Sequence, residues 1–159
     1  MLKKLGWFVP VLLLLWASSA IAATDPISID GAWARRSTRA HVVFVYMTIS
    51  LAKGAEDVLI GASSPLADKV ELLGLLPKRR GESLEPVLAL ELETHTPTVF
   101  QPGEAHLVLR GVKQKLKSGD SFPMTLRFAN AGSRDVVVRL MDLSPDAGMP
   151  AMPKGVKLD

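Results

Sequence analysis

After the initiating methionine, the side chains soft enough for metal chemistry are three imidazoles, His41, His95 and His106, and five thioethers, Met47, Met124, Met141, Met149 and Met152. Imidazole nitrogen and thioether sulfur are neutral ligands that suit Cu(I), a soft ion with weak geometric demands. The 159 residues contain no cysteine, which removes thiolate metal centres, thiolate nucleophiles and disulfides together. Blue-copper electron transfer needs a thiolate on the metal and is excluded on that ground. Hydrolytic chemistry finds no better support. The histidines lie far apart, no G-x-S-x-G element occurs, and no histidine pair has the helical spacing of a zinc protease. Glu91 and Glu93 share one strand face, an arrangement common on solvated strands, and no pocket is implied around them. The chain reads as a binding protein, not an enzyme.

The donors sort by setting. Met47 and Met124 fall at apolar strand positions, where filling gaps in a core is the expected role. Met141 follows the inward set Val136, Val138 and Leu140, so it points outward or caps a rim. His95 sits in the polar stretch Glu93-Thr94-His95-Thr96, the setting of a surface histidine. His41 follows Arg35, Arg36 and Arg39, whose charge repels a bound cation. What remains is His106 and the pair Met149 and Met152, two thioethers three residues apart. Those methionines either reach a metal site containing His106 or belong to an unstructured end with no metal role.

These donors must be carried by an exported domain. Lys3 and Lys4, the apolar run 5–16 and the small residues Ala20-Ile21-Ala22-Ala23 form a signal peptide over 1–23, cleaved near Ala22/Ala23, which implies a periplasmic protein. The apolar run is shorter than the roughly 20 residues of a membrane span. Left uncleaved, it would be the chain's one contact with the membrane. With no cysteine at the junction, no lipid is attached there. A single domain is expected over 24–142, followed by a flexible Pro- and Met-containing tail over 143–159. Removing Lys3 and Lys4 from the 19 basic residues leaves 17 against 16 acidic ones, a near-neutral balance that argues against nucleic acid as a partner.

The mature sequence predicts short strands over 27–35, 42–49, 58–62, 69–76, 87–91, 96–100 and 106–112, with breaks at Ser63-Ser64-Pro65, at 77–81 and at Gln101-Pro102-Gly103. The second is nearly all apolar and β-branched, as a central strand should be. In the last third, Phe122, Met124, Leu126 and Phe128 alternate with polar neighbours, as do Val136, Val138 and Leu140, and residues 130–133 close the two runs into a hairpin. Regularly spaced strands with Gly/Pro turns predict an all-β sandwich or barrel. The run Lys113, Lys115 and Lys117, with Arg110, reads as a charged strand edge that resists aggregation, the alternative being a site for an acidic partner or anionic head groups.

Several segments together resemble the PCu(A)C family of periplasmic copper chaperones. They are Ile29-Asp30-Gly31-Ala32-Trp33-Ala34-Arg35, Tyr46-Met47-Thr48-Ile49, the stretch 59–67 leading into Val70-Glu71-Leu72, Gln101-Pro102-Gly103-Glu104-Ala105-His106, the run 111–120, and the closing hairpin. The resemblance covers about residues 29–141. It implies a cupredoxin-like Greek-key β-sandwich or barrel, Cu(I) as the bound ion, and a partner in the assembly of a respiratory oxidase copper centre. The family's ligand pattern is a histidine, ten residues, a methionine, twenty-one residues, then histidine, any residue, methionine. Counted onto this chain it falls on Leu73, Leu84, His106 and Val108, so only His106 keeps a donor. Leucine and valine offer no lone pair and preserve packing without coordination. Copper binding is then lost, moved elsewhere, or completed by a partner. An exposed apolar patch of Leu73, Leu75, Leu84 and Val108 would favour a copper-free interaction module, whereas His106 gathered with Met149 and Met152 would favour copper.

Overall fold

The computed structural model describes residues 25–37, 41–79 and 81–141. The segments expected to be a signal peptide, 1–23, and a tail, 143–159 with Met149 and Met152, lie outside the described residues. All regular structure among those described is strand: β1 (Ile27–Arg36), β2 (Val42–Leu51), β3 (Asp57–Ser63), β4 (Lys69–Lys78), β5 (Gly81–Val87), β6 (Leu90–Leu92), β7 (Thr98–Phe100), β8 (His106–Arg110), β9 (Ser121–Phe128) and β10 (Gly132–Leu140). The expected all-β class is what the chain adopts.

The strands form one sheet in the order β5-β4-β8-β2-β1-β10-β9-β3-β6, with β7 added beside β2. β2 is central, as its composition predicts: its first half pairs β8, its second half pairs β7, and its other edge pairs β1 along its length. Among the described residues the one parallel pairing is β1 with β10, at Trp33↔Arg139 and Ala34↔Leu140. The sheet curls until β3 lies against β4, which encloses a core built from period-2 faces of nearly every strand. Val43, Val45, Met47 and Ile49 of β2 meet Leu107 and Leu109 of β8, Phe122, Met124 and Leu126 of β9, and Val138 and Leu140 of β10. Burying such side chains supplies about 1.5–3 kcal/mol each before the entropy of ordering is counted. Met47 and Met124 belong to this core, as their strand positions predict.

Two local departures from regular pairing matter for the site. In β1 the register slips between Asp30↔Thr48 and Trp33↔Tyr46, with three steps along β1 against two along β2. Gly31 supplies the positive φ of 61° that such a bulge uses, and the slip brings Trp33 opposite Tyr46. Between β7 and β8 the turn at Gln101-Pro102-Gly103, closed by Glu104 N–H donating to Gln101 O at 3.0 Å, interrupts what would be one long strand flanking β2.

Three sequence expectations are corrected. Residues 77–81 are not an open break: β4 runs on through Pro77 and Lys78, and β5 returns beside it with Lys78↔Gly81 at the tip. β5 is an edge strand, the position where Pro86 costs no ladder bond, and its charged sequence hid it. The strand expected over 87–91 resolves into the end of β5 and the short β6. The basic run is also not a strand edge. Lys113, Lys115 and Lys117 lie in the irregular connection between β8 and β9, anchored by buried Leu116.

That connection is pinned to the one between β3 and β4. Lys113 N–H donates to Leu66 O at 3.0 Å, Asp68 N–H to Arg110 O at 3.0 Å, and the Lys113 ammonium pairs with Asp68 at 3.0 Å. Gly111 makes the approach possible: its φ is +67°, and a β-carbon there would sit 2.3 Å from Asp68 Oδ2. The carboxylate could swing aside by giving up Lys113, but the left-handed backbone would stay strained. Gly111→Ala is therefore expected to cost about 2 kcal/mol. Urea unfolding should show a lower midpoint at unchanged slope; an unchanged midpoint would contradict the role assigned to this glycine.

Candidate functional site

β8 alternates between two environments. Leu107 and Leu109 face the core, opposite Leu72 and Val70 of β4, while His106, Val108 and Arg110 face the other side of the sheet. On that side the neighbouring strands contribute Leu73, Leu75 and Glu71 from β4, Phe44 and Tyr46 from β2, and Trp33 and Arg35 from β1, as the registers dictate. Leu84 of β5 stands opposite Leu75 and so shares this face. The four positions to which the copper pattern counts thus lie on one face of three adjacent strands. His106 is directly across the ladder from Leu73 and two residues from Val108.

His106 is only 6% exposed. Its Nδ1 lies 2.6 Å from the carbonyl of Glu104, which the turn before β8 frees from the ladder. A carbonyl can only accept, so Nδ1 carries the proton and donates it, and the lone pair of the neutral ring rests on Nε2. The ring stands edge-on to Phe44 with centroids 5.7 Å apart and lies 5.6 Å from the ring of Tyr46. Tyr46 in turn packs against Trp33 at 4.5 Å. These side chains form a second, smaller buried layer outside the main core, with Val108 (1% exposed) and Tyr46 at its floor.

A fixed cation covers this layer. The Arg35 guanidinium lies 6.0 Å over the Phe44 ring, a cation–π distance. Burial pushes the Tyr46 phenol above its ordinary value, only partly countered by the nearby Arg35 guanidinium, so Tyr46 stays neutral and offers no phenolate. Glu71, opposite Val108, is an acidic side chain of this face. Arg110 and then Lys69 hold its carboxyl below the usual range, so its charge is already matched by two cations.

The other sequence candidates do not join His106. His41 and His95 are exposed in separate loops, Met47 and Met124 are in the core, and Met141 is half-buried past the end of β10, its N–H donating to Ala34 O at 2.9 Å. Met149 and Met152 lie outside the described residues. Among the described residues no three His, Cys, Asp or Glu side chains gather as a metal site. The donor set on the face, one imidazole among apolar and cationic neighbours, does not fit a four-ligand copper centre. The apolar patch expected from Leu73, Leu75, Leu84 and Val108 exists only in part. Leu75 is 38% exposed and Leu73 and Leu84 are half-buried, but Val108 is covered because β8 lies between two strands. The aromatic layer with Arg35 was missed in sequence; its signal was the alternation Phe44/Tyr46 beside Trp33/Arg35.

The LpqE-like family model, described as one of lipoproteins, matches residues 27–140. Lxx21020 of Leifsonia xyli subsp. xyli (strain CTCB07), named as a lipoprotein, is 22% identical over 121 residues, spanning 76% of this chain and 72% of its own length. Among solved structures, the copper-bound PCuAC domain from PmoF2 superposes with a TM-score of 0.60 at 21% identity, over 73% of this chain and 92% of that domain. Apo-DR1885 from Deinococcus radiodurans gives 0.60 at 20% identity, over 94% and 100%, and its Cu(I) form gives 0.60 at 23% identity, over 79% and 85%. At such identities the likeness establishes the fold. The matched proteins are named as lipoproteins and copper domains, not enzymes.

Proposed function

The chain belongs to the LpqE-like family, and from that membership and its PCuAC-type fold we propose a copper-chaperone-like protein of the cell envelope that holds Cu(I) weakly through His106. The observation that carries this reading is the Glu104 carbonyl on His106 Nδ1. An imidazole whose distal nitrogen is fixed by a carbonyl presents the other nitrogen as an oriented ligand. Leu73, Leu84 and Val108 add no donor, so further ligands come from Met149 and Met152. A loosely held ion is released readily, as a carrier requires. Delivery toward the copper centre of a respiratory oxidase is the role the PCu(A)C resemblance implies for such a carrier. The family's lipoprotein name fits an exported protein, although none of these 159 residues is a cysteine that could bear a thioether-linked lipid.

The test is a long-range ¹H–¹⁵N NMR titration of the imidazoles with Cu(I) under anaerobic conditions. The expected result is a shift of His106 Nε2 with Nδ1 still protonated; ring nitrogens of His106 that do not move would overturn the assignment. Arg35 adds a second expectation. Its positive charge beside the aromatic layer opposes a bound cation, so Arg35→Gln should tighten Cu(I) binding about two- to fivefold, an effect that shrinks as salt is added. Equal affinity at low salt would show that Arg35 does not act on the ion.

A second reading rests on Leu73, Leu75 and Leu84. These lie together at the sheet edge beside His106 and form an apolar strip where the copper pattern would place ligands. In that reading the face binds a protein and no copper.

A further inference from the structure

At the opposite end of β8 from His106, four to five residues or about 15 Å along the strand, lies a groove of about 430 Å³ between the start of β2 and the connection from β8 to β9. Val43, Val112 and Leu116 supply an apolar floor, and Arg36, His41, Lys115 and Lys117 stand around it. Among the described residues no acidic side chain lines the groove. The carboxylate closest in sequence, Asp120, is turned onto the Lys117 backbone N–H at 2.7 Å. The basic residues are not there to guard a strand edge, because this connection has no ladder to protect. Buried Leu116 fastens the loop to the core, so Lys115 and Lys117 are held on either side of an anchored residue.

We propose that this groove is a docking site for an acidic segment of a partner protein, one apolar side chain entering over Val43 and Leu116 while flanking carboxylates meet Lys115 and Lys117. Charge complementarity selects the occupant, and the number of charges selects a protein over a membrane. Binding to anionic lipid by charge draws on clusters of about four to eight lysines and arginines, whereas the described lining of this groove has three beside one histidine. A concave apolar floor also serves a side chain better than a flat layer of head groups. The site is separate from the His106 face, so a partner could dock without covering the copper position.

The experiment uses the full mature chain and a fluorescein-labelled peptide with a central leucine flanked on each side by aspartate and glutamate, read by fluorescence anisotropy. Binding at low salt is expected, weakened about tenfold or more by Lys115→Glu/Lys117→Glu and by raising the salt to physiological strength, with Lys53→Glu as an unaffected control. Val43 stays untouched, so the fold is preserved, and circular dichroism of the double variant verifies it. No peptide binding, or binding equal in the double variant, overturns the proposal. Co-sedimentation with phosphatidylglycerol vesicles in the absence of peptide binding overturns it in favour of a membrane surface.

Discussion

Installing donors at the three apolar positions, Leu73→His, Leu84→Met and Val108→Met, is expected to raise Cu(I) affinity at least about a thousandfold over the unmodified chain, or about 4 kcal/mol. The registers carry the expectation. His106 stands across the ladder from Leu73, Leu84 stands opposite Leu75 on the same face, and Val108 follows His106 by two. Two imidazoles and two thioethers would then converge without moving the backbone. The positions differ in what they tolerate. Leu73 and Leu84 are half-buried and accept longer side chains, but Val108 is 1% exposed, and adding atoms to so closed a site costs about 1–3 kcal/mol of stability. The pair Leu73→His/Leu84→Met, which leaves Val108 alone, should therefore gain most of the affinity in a better folded protein. Chelator competition measures both. Affinity unchanged in both variants, with folding verified, would mean that these side chains do not share a face.

Asp57→Ala is expected to lower stability by about 3 kcal/mol, with a fall in melting temperature of roughly 15 °C. Asp57 opens β3 and is buried. Its Oδ1 accepts Val58 N–H at 2.7 Å and Asn130 N–H at 2.9 Å, and its Oδ2 accepts Ala131 N–H at 2.8 Å. The last two donors belong to the turn of the β9–β10 hairpin, so one carboxylate ties that turn to the start of β3. Alanine would leave three part-buried N–H groups without their acceptor, which costs more than the bonds alone contribute. The acid behaviour follows. Burial raises the Asp57 pKa, but hydrogen bonds from Asn130, Ala131 and Val58 outweigh it and leave the carboxyl below its ordinary value. A depressed folded pKa contributes stability that is complete above the unfolded value of about 3.9 and is lost as pH falls through the folded value. Asp57→Ala should flatten that acid limb. A melting temperature within a few degrees of the parent would show that the clamp is dispensable.

The parts of the fold visible in sequence are those where burial is one-sided and regular. β9 and β10 alternate without interruption, and β2 is nearly all apolar, so their roles followed from period and composition. β5 was hidden because an edge strand need not be apolar and can carry Pro86. The connection after β8 was misread because Lys113, Lys115 and Lys117 alternate as a strand would, although Leu116 anchors them as a loop. At the site, His106 and the three apolar replacements were legible by counting. The aromatic layer was not, because it depends on the Gly31 bulge, which turns Trp33 toward Tyr46, and on an arginine from β1 crossing to Phe44 of β2. No local pattern encodes contacts between strands.

The measurement closest to the central claim is an anaerobic Cu(I) competition titration of the full mature chain against a chelator of known affinity, beside His106→Ala and Met149→Leu/Met152→Leu. The account predicts one weakly held ion, lost in the His106 variant and weakened in the methionine pair. Binding as tight as a complete four-donor site gives, binding indifferent to His106, or no binding at all would contradict it, the last leaving the apolar strip of Leu73, Leu75 and Leu84 as the functional face.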